Sequence, residues 1–399
     1  MSSVTGQINK NKNDGTGASN PFRVLVVDDS AVIRGFISRW LEEDEDISVV
    51  GTASNGQMAL NSVVSSDAEV VLLDIEMPVM DGLTALPLLK KAVPDLQILM
   101  ASSLTKRNAQ ISIKALGLGA ADYVPKPESN RDVTSRVNFR HELITKVKAL
   151  ASTRRKKRGE PQPTMKAGEN ARPFTQTEQK KTSSMHLFKN VAGGSSQIKL
   201  KKASEFKPEI LAIGASTGGP QALVKFLTSA KNFLDVPVVI TQHMPPSFTA
   251  ILAQHITKAT GRDAHEGIDG ERLKPGVIYV APGDNHMILR KEHDVVRIRL
   301  NQDEPENFCR PAVDPMFRSV ASIYGKKTLS VILTGMGHDG LEGGRVIVGA
   351  GGTLVAQDEE SSVVWGMPGS VAVAGICSSV LPLDEMGSAV GQLLMGGKL

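Results

Sequence analysis

After a polar opening stretch, MSSVTGQINKNKNDGTGASN, apolar residues return at Phe22 in a regular order. Short apolar runs alternate with segments whose apolar positions fall three and four residues apart. RVLVV (23–27), ISVVGTA (47–53), EVVLLD (69–74), LQILMA (96–101) and ADYVPK (121–126) read as strands. SAVIRGFISRWLEE reads as the first helix, with Ser30 placed to cap it, and a second follows over 56–66. A helix over 137–150 closes the series. Five strands alternating with five helices predict a doubly wound α/β domain, its parallel sheet covered on both faces.

Past residue 150 the pattern stops. Residues 151–205 hold scattered Pro, Gly, Ser, Thr and Lys with few apolar positions to offset the entropy of ordering. The alternation resumes near Phe206: EILAIGA, VPVVIT, VIYVA, TLSVILT and TLVA read as strands, and MILR with VVRIRL as an antiparallel hairpin near 286–300. Helical stretches follow Gly219, Ser247, Val313 and Gly340. The expected organisation is a disordered tail (1–21), an α/β domain (22–150), a flexible basic linker (151–205) and a second α/β domain (206–399).

Charge sharpens that division. The linker segment carries thirteen Lys/Arg against four Asp/Glu, a net of +9, so of the +4 total the remainder holds −5. The basic balance belongs to the connector, where solvation and reach explain it; an acidic partner or membrane surface is the alternative. The output half carries no basic cluster of the kind a nucleic-acid reader needs. No apolar run approaches the roughly 20 residues of a membrane span, and the N-terminal stretch lacks the apolar segment of a signal peptide. Cys309 and Cys377 have no metal-ligand spacing, which points to a reducing cytoplasm rather than a disulfide framework.

In an open parallel sheet, ligands bind beyond the carboxyl ends of the strands. Those ends carry Asp28 and Asp29, Asp74, Ser102 and Lys126 in the first domain. Three converging acids repel one another unless a cation neutralises them, and oxygen-only donors favour Mg²⁺. An aspartate beside that ion suits phosphoryl transfer, with Lys126 offsetting charge on the phosphoryl oxygens. VLVVDDS, LLDIEMPVMDG, ASS and YVPKP, over 22–150, resemble the response-regulator receiver family. That resemblance implies a flavodoxin-like fold, Asp74 as phospho-acceptor, Asp28 and Asp29 as metal ligands, and the backbone carbonyl of Glu76 completing the Mg²⁺ site. It further implies Ser102, Tyr123 and Lys126 at the switch positions, and a cis Lys126–Pro127 bond.

The second domain opens with a strand running into GASTGGP, which satisfies G-x-S-x-G around Ser216. A serine nucleophile needs a base, and the base an orienting carboxylate. His243 follows one strand and Asp339 another, so all three sit just past strand ends. Spacing alone does not choose His243 over His286 or His338, and a glycine-rich turn opening a helix also suits phosphate binding. AIGASTGGP, QHMPPSFT, YVAPGDNHM, RPAVDPMF, LTGMGHDG and WGMP together resemble the catalytic domain of the chemotaxis protein-glutamate methylesterase (CheB) family. The resemblance implies a Rossmann-like three-layer domain with Ser216 as nucleophile, His243 as general base and Asp339 orienting it. It also implies Met336 N–H in the oxyanion hole, Thr217 beside the nucleophile, His286 shaping the substrate site, and no cofactor in this half.

Together the two resemblances imply phosphorylation-activated hydrolysis of glutamate γ-methyl esters, and deamidation of certain glutamines, on chemoreceptors. A chemotaxis histidine kinase is the expected phosphodonor, with no nucleic acid partner and no membrane insertion. An unphosphorylated receiver is expected to pack over the crevice holding Ser216. The contrary reading is a response regulator whose output half only binds receptors or kinase.

Overall fold

The computed structural model describes residues 20–103, 105–126, 133–163 and 198–398. The first domain runs β1 (Phe22–Val27), α1 (Ala31–Glu42), β2 (Ile47–Ala53), α2 (Gly56–Ser62), β3 (Val70–Asp74), α3 (Gly82–Ala92), β4 (Gln97–Ser102), α4 (Lys106–Gly117), β5 (Asp122–Pro125) and α5 (Val133–Arg158). Its sheet has the order β2-β1-β3-β4-β5, every pair parallel. Alternate residues explain the continuous apolar runs. Val24 and Val26 enter one apolar cluster while Leu25 and Val27 enter another, so both faces are buried. Ser30, Asn55, Asp81 and Thr105 cap α1 to α4, each accepting a backbone N–H of the first turn.

The last helix of this domain, α5, runs past residue 150 to Arg158. Arg155 is fully buried. Its Nε and Nη2 donate to the two Glu69 carboxylate oxygens at 2.5 and 2.8 Å, and its other N–H groups donate to the carbonyls of Asn20, Pro21 and Pro161. Its guanidinium also lies over the Phe22 ring, 4.6 Å from the centroid. A run of basic residues looks solvated by composition, but here a buried carboxylate and three carbonyls satisfy the guanidinium. The far end of the expected linker is ordered too: Lys201 N donates to Cys377 O and Ser204 N to Thr353 Oγ1. The middle of that linker, the expected tail up to residue 19 and the Lys126–Pro127 bond lie outside the described residues.

The second domain runs β6 (Ile210–Ala215), α6 (Gly219–Ala230), β7 (Val238–Gln242), α7 (Phe248–Thr260), β8 (Ala264–Glu266), β9 (Ile278–Val280), β10 (His286–Glu292), β11 (Val295–Asn301), α8 (Val313–Tyr324), β12 (Thr328–Ile332), α9 (Leu341–Gly349), β13 (Thr353–Gln357), α10 (Met367–Val373), β14 (Ser379–Leu381) and α11 (Leu383–Leu394). Seven strands form one parallel sheet in the order β14-β13-β12-β6-β7-β9-β8. β10 and β11 pair as the antiparallel hairpin the sequence suggests. The edge strands β8 and β14, three residues each, are too short to carry a period and escape sequence reading. So do α10 and α11.

The two domains dock. α4 packs against α6 and α7, and one apolar cluster continues from the first sheet into the second domain. Gln221 Nε2, at the start of α6, donates to Leu116 O (3.0 Å) and Ala120 O (2.5 Å) of the first domain. The extended end of α5 adds Lys156 Nζ to Glu359 at 3.2 Å and Lys157 Nζ to Ser362 O at 3.4 Å.

Candidate active site

Two crevices collect the residues the sequence singles out, each at the carboxyl ends of a parallel sheet. In the first, Asp28 and Asp29 follow β1, Asp74 ends β3, Ser102 ends β4 and Lys126 follows β5. Carboxylate oxygens of Asp28, Asp29 and Asp74 lie within 4.8 Å of one another. Lys126 Nζ sits 2.7 Å from both Asp28 and Asp74, holding part of that negative charge. Burial raises the Asp74 carboxyl above its ordinary value, an effect that Lys126 partly offsets. Asp29 and Glu76 line the open side of the crevice. Among the described residues Lys126 is the one cation paired with these three carboxylates, which leaves them under-neutralised, and their donors are all oxygen; the set fits a hard divalent ion such as Mg²⁺. Ser102 is buried with its hydroxyl on Ser103 O, and Tyr123 is buried on β5 with its ring against Phe248.

The second crevice is assembled by three neighbouring strands. Ala215 pairs with Gln242 across β6 and β7, so Ser216 and His243 leave the sheet side by side. β12 pairs with β6 on the other side, and its following loop carries Met336 and Asp339. The turn at Ser216 needs its glycines: Gly218 has φ +74°, and a Cβ on Gly335 would fall 2.9 Å from Ser216 Cβ. His243 Nε2 lies 2.7 Å from Asp339 Oδ2. That carboxylate also accepts the backbone N–H groups of Val313, Asp314 and Gly340 and the Asn307 amide. Burial raises the Asp339 carboxyl, yet the hydrogen bond and charge of His243, with the Val313 and Asp314 N–H groups, outweigh it and hold the group below the usual range.

Because Asp339 accepts from Nε2, the basic lone pair of neutral His243 is on Nδ1. Its partner there is Cys309 Sγ at 3.4 Å, and Ser216 Oγ makes no hydrogen bond among the described residues. Burial lowers the His243 imidazole, while negative charge at Cys309 and Asp339 outweighs it and pushes the group up to about 10. The backbone N–H groups of Thr217 and Met336 donate to no acceptor among the described residues. Thr217 Oγ1 is buried and likewise unpartnered. Donors left free beside a nucleophile are available to an oxyanion.

His286 does not enter the crevice. It is buried, with Nδ1 accepting from Ala312 N and Nε2 donating to Glu304 O, so it fastens both ends of the 304–312 loop. His338 is exposed. Sequence reading missed Asn307, Cys309 and Asp314, which surround the His243–Asp339 pair. Asp314 accepts from Gly340 N, Gly343 N and the Asn307 amide. RPAVDPMF held the signal for Asp314, but no spacing rule tied it to Asp339.

The arrangement can activate a serine hydroxyl and stabilise a tetrahedral oxyanion in one domain, and hold a cation beside a buried aspartate in the other. Comparison with known proteins agrees with both. The family description "CheB methylesterase" matches residues 211–390 and "Response regulator receiver domain" matches residues 24–138. A protein-glutamate methylesterase/protein-glutamine glutaminase of Rhodospirillum rubrum is 50% identical, over 93% of this chain and 94% of its own. One from Azospirillum brasilense is also 50% identical, over 94% and 93%. The crystal structure of the Thermotoga maritima CheB methylesterase catalytic domain is 40% identical, covers 47% of this chain and all of its own, and gives a TM-score of 0.46.

Proposed function

The chain belongs to the CheB methylesterase family, with a receiver domain ahead of the esterase, and from that premise we propose that it hydrolyses γ-methyl esters of chemoreceptor glutamates and deamidates certain receptor glutamines under phosphorylation control. The observation that carries this reading is the His243 Nε2–Asp339 contact at 2.7 Å beside Ser216 on the adjoining strand end.

Ser216 Oγ attacks the ester carbonyl and passes its proton to Nδ1 of His243. Asp339 fixes the ring by its hydrogen bond at Nε2, and Thr217 N–H and Met336 N–H receive the oxyanion. His243 returns the proton to the leaving methanol, or to ammonia from a glutamine. Water, deprotonated by the same histidine, then releases glutamate. General-base help of this kind contributes about 10²–10⁴-fold. No metal or organic cofactor takes part in this half of the scheme.

In the receiver, Asp74 accepts the phosphoryl group from a histidine kinase. Asp28, Asp29, Asp74 and the Glu76 carbonyl would hold Mg²⁺, whose charge neutralises the phosphoryl oxygens. Ser102 and Lys126 would meet those oxygens too, drawing Lys126 from Asp28, while Tyr123 carries the change to the domain boundary. The receiver lies against the esterase loops: Met336, Val363 and Val364 join its apolar cluster. That placement supports an inhibitory dock which phosphorylation loosens. Cytoplasmic localisation follows from this substrate and phosphodonor; among the described residues no helix is long and apolar enough to cross a membrane.

The deciding experiment is methanol release from methylated receptor membranes with and without a small phosphodonor and Mg²⁺. Release should vanish in Ser216→Ala, and phosphodonor stimulation in Asp74→Asn. Release that persists in Ser216→Ala would sink the assignment of the nucleophile.

A further inference from the structure

One loop touches both ends of the His243–Asp339 pair. Asn307 donates its amide to Asp339 Oδ1 and Asp314 Oδ2, each at 3.0 Å, and two residues later Cys309 Sγ meets His243 Nδ1. Between them the backbone turns left-handed at two consecutive non-glycine residues, Asn307 (φ 53°) and Phe308 (φ 64°). Such a conformation persists only where surrounding contacts over-determine it. Those contacts are the Asn307 amide bonds, the Glu306–Arg318 pair and the Arg310–Asp284 pair. The Cys309 thiol is thereby delivered to the nitrogen that must take the Ser216 proton.

We propose that Cys309 is a positioning residue that guards the base: its thiol occupies Nδ1 of His243, and Ser216 is activated only when Cys309 gives that nitrogen up. This rests on the reading of His243 as the base. The step is a proton transfer alone. The S–H bond breaks, an N–H bond forms at Nδ1, and a thiolate–imidazolium pair results. A ring already carrying that proton cannot accept another from Ser216; Nδ1 is free once the proton has returned to sulfur and the thiol has moved off the ring.

Other charged groups around the ring are accounted for. Asp339 faces Nε2, with Asp314 of α8 one carboxylate beyond it, and Arg318 of α8 lies in the field of both. Arg310, next to Cys309, is paired with Asp284. Phe308 at the tip of the loop is 98% exposed, its ring centroid 6.5 Å from that of His141 of α5, so the tip has room to move and to carry Cys309 with it.

The test uses the full-length chain with phosphodonor and Mg²⁺, following methanol release from about pH 5.5 to 9, the span in which histidine titrates. Cys309→Ala and Cys309→Ser should both move the acid limb of kcat/KM down by about one pH unit or more, raising release below pH 7 several-fold. Reduced kcat with the acid limb unmoved would mean a merely structural cysteine and would overturn the proposal. A second readout needs no esterase activity. Cys377 is buried, so iodoacetamide reports on Cys309. Alkylation near neutral pH should slow about tenfold in His243→Gln, because the base that draws off the thiol proton is gone. An unchanged rate would overturn the pairing even if no variant, wild type included, released methanol, whereas absent release with slowed alkylation would count against the esterase reading alone.

Discussion

The ring of Tyr123 lies flat on the ring of Phe248, their centroids 4.5 Å apart and their planes 7° from parallel. One ring belongs to the last strand of the receiver and the other opens a helix of the esterase domain that starts five residues after His243. A stacked pair of this kind contributes about 0.5–1.5 kcal/mol beyond its buried area. It joins the last receiver strand to the helix that follows His243.

The polar half of the same dock is Gln221, whose amide answers two receiver carbonyls. Each such bond is worth about 0.5–1.5 kcal/mol net, so Gln221→Ala should shift the docking equilibrium by roughly tenfold. Methanol release by the unphosphorylated protein should rise several-fold and phosphodonor stimulation should shrink in proportion. Unchanged basal release would show that this contact does not restrain the esterase.

Arg155 and Glu69 form a buried pair that ties the extended α5 to the start of β3. Removing one partner leaves the other charge uncompensated, so Arg155→Met should cost the receiver about 3–5 kcal/mol in urea unfolding. Glu69→Leu combined with Arg155→Met should recover much of that loss. Burial raises the Glu69 carboxyl, but Arg155 and the Arg23 N–H lower it further, leaving the net shift downward. A carboxyl lowered in the folded state contributes stability above its unfolded value and loses it as pH falls through the folded value. The double variant should therefore lose less stability than wild type on acidification below about pH 4.5, the unfolded carboxyl range.

Asp314 behaves oppositely. Burial and the neighbouring Asp339 charge raise it to about 6. An acid raised on folding contributes stability that is complete below its unfolded value and lost as pH rises through about 6. Between about pH 4 and 7 the wild type should lose on the order of 1–3 kcal/mol relative to Asp314→Asn. Thermal melts across that range, compared as differences, read the effect directly. Parallel curves would show that Asp314 keeps one protonation state throughout.

The acidic crevice gives a metal prediction. Asp28→Asn replaces a carboxylate donor with a neutral amide and should weaken Mg²⁺ binding by calorimetry about tenfold or more. Chelation of the ion should abolish phosphodonor stimulation while leaving unstimulated methanol release in place. Loss of release on chelation would mean that the esterase half itself uses a metal.

Sequence by itself determined the strands of the first sheet, five of the seven in the second, and the strand ends that bear Asp74, Ser216, His243 and Asp339, because continuous apolar runs and glycine turns record local backbone requirements. It also placed the antiparallel hairpin, whose alternation is local. It could not place the end of α5: whether Arg155 is solvated or buried depends on Glu69, 86 residues earlier in the chain. Nor could it show that Nε2 rather than Nδ1 of His243 meets Asp339, or that Cys309 takes the other nitrogen. Those are decided by ring orientation between separate strands and loops, and a hydrogen bond across 66 residues leaves no periodic trace in the chain. The dock between domains is equally tertiary. Gln221 and Phe248 look like ordinary helix residues until the two sheets are brought together.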